Sequence, residues 1–175
     1  MSSKTSSSLA LAALLALAAP AGARTIDSWE VLPNGQRCTM VSTFEDDVSI
    51  GLIWSPRNGE LGFLATVPHP NAVRGNATTP IMLTFDGDAR LTEWEDQHAA
   101  VVAGKDSDAL VATWGPAHSD DLAKAFGAAR HVSLRVAGET VGTYDLSGGP
   151  AAYRELTQCG RQLDQCADQI ASRVR

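Results

Sequence analysis

The sequence lacks any apolar stretch long enough to cross a bilayer, which requires about 20 consecutive residues. Its longest apolar run, residues 9–19, is much shorter. Basic residues are also scarce, with 14 Lys and Arg against 20 Asp and Glu and a formal net charge of −6. Because nucleic acids and anionic lipids select basic surfaces, the chain is not expected to bind either.

The short apolar run lies where an export signal would be found. Lys4 precedes it, and an Ala-Gly-Ala triplet ending at Ala23 matches a small-x-small cleavage signal. We therefore predict a signal peptide over residues 1–23, cut after Ala23, and a single globular domain over residues 24–175. No cysteine follows the run, which disfavours a lipoprotein anchor. The mature protein is expected to be periplasmic or secreted, with no transmembrane segment.

Alternation of apolar and polar residues predicts strands over the first two thirds of the mature chain. Asn34-Gly35 is typical of a hairpin turn between the first two strands. Two further strands are expected over residues 89–94 and 109–114. The residues expected to face inward are Cys38, Met40 and Phe44, then Val48, Ile50, Leu52 and Trp54, then Leu61, Phe63, Ala65 and Val67, and finally Ile81, Leu83 and Phe85.

Towards the C-terminus the spacing of apolar residues changes from the alternation of a strand to the period of a helix. Ser119 is expected to cap a helix that begins at Asp120, with two aspartates in the first turn, where the helix dipole favours them. A late hairpin turns at Ala137-Gly138, and a final helix starts near Pro150. These elements predict an α+β or mostly β fold, an antiparallel β-sandwich or meander sheet with two helices, the second at the C-terminus.

The three cysteines are Cys38, Cys159 and Cys166. The last two share one apolar stripe of the final helix and lie roughly 10 Å apart along it. A disulfide needs Cα atoms within about 7 Å, so Cys38 is the natural partner of one of them. A Cys38–Cys159 bridge is favoured, while a Cys38–Cys166 bridge and three free thiols stay open. The leftover Cys166 is expected to be a free thiol rather than an intermolecular bridge, and a monomer is expected rather than a disulfide dimer.

Both ends of the chain carry a recognisable pattern. Trp29 precedes a strand with the sequence CTMV, which begins at Cys38. The late unit of strand, turn, helix and cysteine is formed by Leu146, Gly148, Ala152, Leu156 and Cys159. Together they resemble the invasion-associated locus B family of small exported bacterial proteins, with residues 45–115 unmatched.

The resemblance implies an exported bacterial protein, linked by its family name to host invasion, with Cys38 and Cys159 as a structural pair. The family motifs are structural, so no catalytic residue is carried over. The departures from the family pattern are the additional Cys166 and a longer helical tail.

Motifs for metal binding or nucleophilic catalysis are missing from the sequence. The histidines lack the spacing of a helical metal site, and His131 is expected to face solvent. Asp86-Gly87-Asp88 begins like a calcium loop but lacks its later ligands. Ser147 lies in a Leu-Ser-Gly-Gly stretch that indicates a strand-to-helix turn rather than a nucleophile elbow. We therefore expect no metal and no cofactor.

The leading hypothesis is a non-catalytic, envelope-associated protein that binds a protein or an envelope component. The alternative is an acidic inhibitor or a module that binds a small ligand. An enzyme is the least favoured interpretation. In that case the functional residues would be expected in the loop with His69 and Arg74, because functional side chains concentrate on loops over a rigid sheet.

Overall fold

The computed structural model describes residues 24–68, 77–86 and 97–173, and in the last helix the side chains up to residue 165. These residues form ten strands and two helices. They are β1 (Arg24–Ile26), β2 (Trp29–Asn34), β3 (Arg37–Thr43), β4 (Ser49–Ser55), β5 (Glu60–Pro68), β6 (Thr78–Phe85), β7 (Gln97–Ala103), β8 (Ser107–Trp114), α1 (Pro116–Ala128), β9 (His131–Val136), β10 (Glu139–Asp145) and α2 (Gly149–Arg173). Neither described helix is both long and apolar enough to span a bilayer.

All ten strands belong to one sheet in the order β1-β2-β3-β4-β5-β8-β7-β6-β9-β10. The first five follow chain order as a meander, and β8 then pairs with β5. Strand β6 lies between β7 and β9. Every pairing is antiparallel, so the predicted mostly antiparallel sheet with a C-terminal helix is confirmed.

The predicted inward faces are confirmed by burial. Of the inward residues named from the sequence, only Phe44 and Trp54 are partly buried, and both pack against the core that the others form. Leu122 and Phe126 of α1 and Leu156 of α2 belong to the same core. Both helices therefore cover the inner side of the sheet.

Both hairpin turns predicted from the sequence are present, the first displaced by one residue. Asn34 ends β2 and pairs with Arg37, so the first turn is Gly35-Gln36, one residue later than expected. Gly35 has φ +63°, the conformation that a type II′ turn requires at its first position. The late turn lies at Ala137-Gly138, as predicted, with positive φ at both residues.

The predicted start of α1 is wrong. The helix begins at Pro116 with Gly115 as N-cap, and no acidic residue lies in the first turn. Ser119 is therefore inside the helix, and it is buried. Its hydroxyl accepts the backbone N–H of Leu61 at 2.9 Å and lies 3.1 Å from the Gly115 carbonyl, so it joins α1 to β5 instead of capping the helix.

Helix α2 is continuous past Gly160, so Cys159 and Cys166 lie on one unbroken helix. Gly160 is a point of close approach to the sheet, because a Cβ there would lie 2.6 Å from the indole of Trp54. Cys159 is bonded to Cys38 on β3, with an S–S distance of 2.00 Å and a Cα–Cα distance of 6.1 Å. The favoured Cys38–Cys159 bridge is thus present.

Side chains connect the late strand β10 to the first part of the sheet. The indole N–H of Trp29, at the start of β2, donates to the carbonyl of Ser147, just after β10, at 2.9 Å. The hydroxyl of Tyr144 on β10 donates to Asp46, which lies in the turn between β3 and β4. The edge strand β10 and the residue after it are therefore joined to β2 and to the β3–β4 turn.

Candidate functional site

An Asp–His–Asp cluster, formed by Asp86, His131 and Asp145, lies at one end of the β6–β9–β10 part of the sheet. Asp86 follows the last residue of β6, His131 opens β9, and Asp145 closes β10 directly opposite His131. The neighbouring residues Val132 and Tyr144 are buried in the core. Since side chains alternate across a strand, His131 and Asp145 point to the outer side.

Asp86 holds the start of β9 through three contacts. One carboxylate oxygen accepts the backbone N–H groups of Arg130 and His131 at 2.6 and 2.8 Å. The other lies 3.0 Å from Nδ1 of His131. The hydrogen bonds from the His131 backbone and ring, and then from Arg130, lower the pKa of Asp86 to about 2. Asp86 is therefore an anion at any pH at which the protein is expected to work.

Asp145 is engaged with the turn that leads into α2. Its Oδ1 accepts the hydroxyl of Ser147 at 2.7 Å and the backbone N–H of Ser147 at 2.8 Å. These two hydrogen bonds lower the pKa of Asp145. The strand-to-helix turn predicted at Ser147 is confirmed, and the Ser147 hydroxyl is directed at a carboxylate rather than at the imidazole.

The cluster is accessible, and its chemistry is that of an anionic hydrogen-bond acceptor. The side chains of His131 and Asp86 are 51% and 45% exposed, and the prediction that His131 faces solvent is confirmed. Because Nδ1 of His131 lies against Asp86, Nε2 is the ring nitrogen left for a further contact. Two ionised carboxylates beside an imidazole suit the side chain of a Lys or Arg from a partner.

A second polar contact, between Tyr144 and Asp46, is structural. Tyr144 is 4% exposed, and its ring lies 4.8 Å from that of Phe44. Burial, followed by the hydrogen bond to Asp46, raises the pKa of Tyr144. The phenol stays protonated and continues to donate to Asp46.

Two surface depressions of the described residues are small, and both lie away from the Asp–His–Asp cluster. One of about 260 Å³ lies between β6 and β9 and is lined by Pro80, Ile81, Met82, Arg135 and Gly138. A small groove of about 20 Å³ lies beside the disulfide, bordered by the exposed ion pair of Arg24 with Glu155 at 2.6 Å. Both are below the roughly 300–1,000 Å³ typical of sites for small organic ligands.

The structure describes only some of the site residues predicted from the sequence. Cys38 and Cys159 are brought together, and the backbone of Cys166 lies in α2 while its side chain is outside the described part of the chain. His69 and Arg74 fall outside the described residues, so the predicted functional loop stays a prediction. Within the described ranges, no three His, Cys, Asp or Glu side chains are placed to hold a metal ion.

Sequence reasoning missed the partnership of Asp86 with His131, which are 45 residues apart. Each residue gives a weak local signal, since Asp86 follows an apolar strand and His131 precedes one. Only the pairing of β6 with β9 brings them together.

The chain matches no protein-family model, no curated protein and no solved structure.

Proposed function

We propose that the chain is an exported bacterial protein that acts by binding a protein or another component of the cell envelope. The observation that carries this proposal is the Cys38–Cys159 bridge, which ties the terminal helix to the first hairpin. Such bridges persist in the periplasm and outside the cell and are rare in the reducing cytosol. The apolar N-terminal run with its Ala23 cleavage signal, and the resemblance to the invasion-associated locus B family, support the same compartment.

The Asp–His–Asp cluster is our choice for the contact site. Its two carboxylates are ionised at neutral pH, and the exposed imidazole lies beside them. The Ser147 hydroxyl donates to Asp145, an arrangement that holds a turn rather than activating a nucleophile. These features favour recognition of a basic group on a partner over chemistry on a bound substrate.

We also propose that the sheet folds on itself as a sandwich. The inner residues of β2 to β10 share one core, and the hydrogen bond from Trp29 to Ser147 joins β2 to the residues that follow the edge strand β10. A closed arrangement of this kind would hold the cluster at a rigid end of the fold.

The compartment is tested by intact-mass measurement on unreduced protein recovered from its host. Export predicts a mass equal to residues 24–175 less two hydrogens, in the periplasmic or culture fraction. An uncleaved, fully reduced chain in the cytosol would contradict the proposal.

The contact site is tested by site-specific photo-crosslinking in living cells. A crosslinking residue placed at His131 should trap a discrete partner, and the same residue at Lys124, which is exposed on α1, serves as the matched control. An identical crosslinking pattern from both positions would show that the Asp–His–Asp cluster is not the contact site. The proposal that the protein is exported would not be affected.

A second function, an inhibitor of a basic hydrolase, is favoured by the same ionised carboxylates and by the net charge of −6. It predicts binding to a basic lysozyme-type enzyme that weakens with salt and with Asp145→Asn, but not with Glu139→Gln on the same strand. Equal effects of the two substitutions would show that the basic enzyme is attracted by overall charge and does not bind at the Asp–His–Asp cluster.

A further inference from the structure

The side of the sheet opposite the core carries a continuous surface without charged residues. Strands β3, β4, β5 and β8 are adjacent, and their outward residues are in register. We define the outer face as two rows across these strands, Val41, Gly51, Leu64 and Val111 in one and Thr39, Ile53, Gly62 and Thr113 in the other. The four large aliphatic members are partly exposed.

Both helices lie on the other side of the sheet. Cys38 and Met40, which alternate with outward residues of β3, are fully buried against the core that α2 covers. Leu122 and Phe126 of α1 enter the same core. The outer face is therefore not covered by either helix, and aliphatic side chains that alternate with Gly and Thr occupy it.

Two opposite charges flank one end of this face. Arg37 on β3 and Glu60 on β5 are outward, because the adjacent Cys38 and Leu61 are buried. Both lie at the Ser55 end of the central strand β4, one strand to either side of it. Within the described ranges no carboxylate lies within ion-pair distance of Arg37, and Glu60 accepts only the neighbouring side-chain amide of Asn58.

We propose that the outer face is the interface of a homodimer. The two-fold axis lies in the interface and runs parallel to β4. It places β3 of each copy against β5 of the other copy. This places Arg37 opposite Glu60 of the second copy, and the reciprocal pair forms on the other side of the axis. Val41 then faces Leu64 of the second copy, and Ile53 faces its own counterpart. A C2 interface must be self-complementary in this way.

The dimensions agree with a reversible dimer. Beyond the outer face as defined, β2 adds its outward Leu32 and the charged Glu30, which lies in the Val41 row at the rim of the interface. With β2 included, the five strands β2, β3, β4, β5 and β8 are centred on β4 and span roughly 24 Å at about 4.8 Å per strand. A seven-residue strand such as β3 adds a length of roughly 24 Å at about 3.4 Å per residue. Two copies would bury about 1,150 Å², just above the roughly 1,000 Å² expected of a specific interface. Two sheets packing face to face in aligned fashion need no bridging helix or disulfide.

Analytical ultracentrifugation of the oxidised protein, residues 24–175, tests the proposal across a wide range of concentration. We expect a reversible monomer–dimer equilibrium that is unchanged by a reductant too mild to open the partly buried Cys38–Cys159 bridge. Ile53→Glu should abolish the dimer, whereas Thr84→Glu, on the outer side of β6, should not. A monomer at every concentration, or a dimer lost on reduction through Cys166, would overturn the proposal.

Charge reversal supplies a test that does not depend on the stability of a core variant. Arg37→Glu and Glu60→Arg should each weaken dimerisation several-fold, because each creates two like-charged pairs across the axis. The double variant should restore association, since it exchanges the two charges and rebuilds both pairs. Circular dichroism confirms that each variant is folded. If the double variant is weaker than either single one, the assigned geometry is wrong.

Discussion

Tyr144 donates its hydroxyl to Asp46 at 3.0 Å, although the two residues are 98 positions apart in the chain. The tyrosine is on the edge strand β10, and the aspartate is in the turn between β3 and β4. Phe44 packs on the tyrosine ring from the same turn. A late strand is thus fixed to an early hairpin by one hydrogen bond and one ring contact.

Tyr144→Phe should lower the free energy of unfolding by about 1 kcal/mol, because it removes one hydrogen bond and keeps the packed ring. Urea unfolding followed by tryptophan fluorescence measures the loss. Tyr153→Phe, the matched change at the other tyrosine, should cost less. An equal loss in both variants would show that the hydroxyl of Tyr144 contributes nothing specific.

Removing the disulfide should cost far more. The Cys38→Ala, Cys159→Ala double variant frees a loop with a sequence separation of 121 residues, for which chain entropy predicts an upper loss of about 4–5 kcal/mol. Thermal unfolding should show a markedly lower midpoint, and Cys166→Ala should leave the midpoint near that of the native protein. A double variant as stable as the native chain would mean that packing alone secures α2.

Ser119→Ala should destabilise the protein by about 1–3 kcal/mol, because the buried N–H of Leu61 loses its acceptor. Asp120→Ala, one residue along and exposed, should change stability by at most about 0.5 kcal/mol. Denaturant unfolding of both variants gives the comparison. If Asp120→Ala is as harmful as Ser119→Ala, the buried contact of Ser119 with Leu61 does not contribute the expected stability.

Acid stability should depend on Asp86. The ordinary pKa of an aspartate side chain, 3.8, falls to about 2 for Asp86 in the folded protein, so folding favours the ionised form. The contribution of Asp86 to stability is complete above about pH 4 and is lost as the pH falls towards 2. Asp86→Asn should flatten the stability curve in this window, as measured by urea midpoints at several pH values. An unchanged acid slope would contradict the assignment.

Local patterns predicted much of this fold because each depends on neighbouring residues. Alternation identified the inward residues of β3 to β6, since one face of each strand enters the core. Strand β7 was missed because Ala99 is its only buried residue, so no clear alternation marks it. The start of α1 was misplaced because Ser119 has the chemistry of a cap, while Pro116 at the true start has the backbone geometry for the first turn.

Long-range pairing could not be inferred in the same way. The order β5-β8-β7-β6-β9 depends on which strands bury complementary faces across the whole core, and no short segment records it. The contact of Asp86 with His131 follows from that order. Helical spacing keeps Cys159 and Cys166 apart, so the sequence restricted any bridge to Cys38 with one of them. The choice of Cys159 was favoured from sequence and is seen directly in the fold.

The position of Cys159 has a consequence for how the molecule is made. Its partner Cys38 is synthesised early, but the bridge needs the last helix, which begins only at Gly149. Trp29 likewise finds its acceptor only once Ser147 is present. The N-terminal strands therefore exist for most of biosynthesis without the segment that closes them. We expect a truncation before Gly149, which leaves Trp29, Cys38 and Met40 without the helix that covers them, to be bound by chaperones and degraded rather than to form a smaller folded protein.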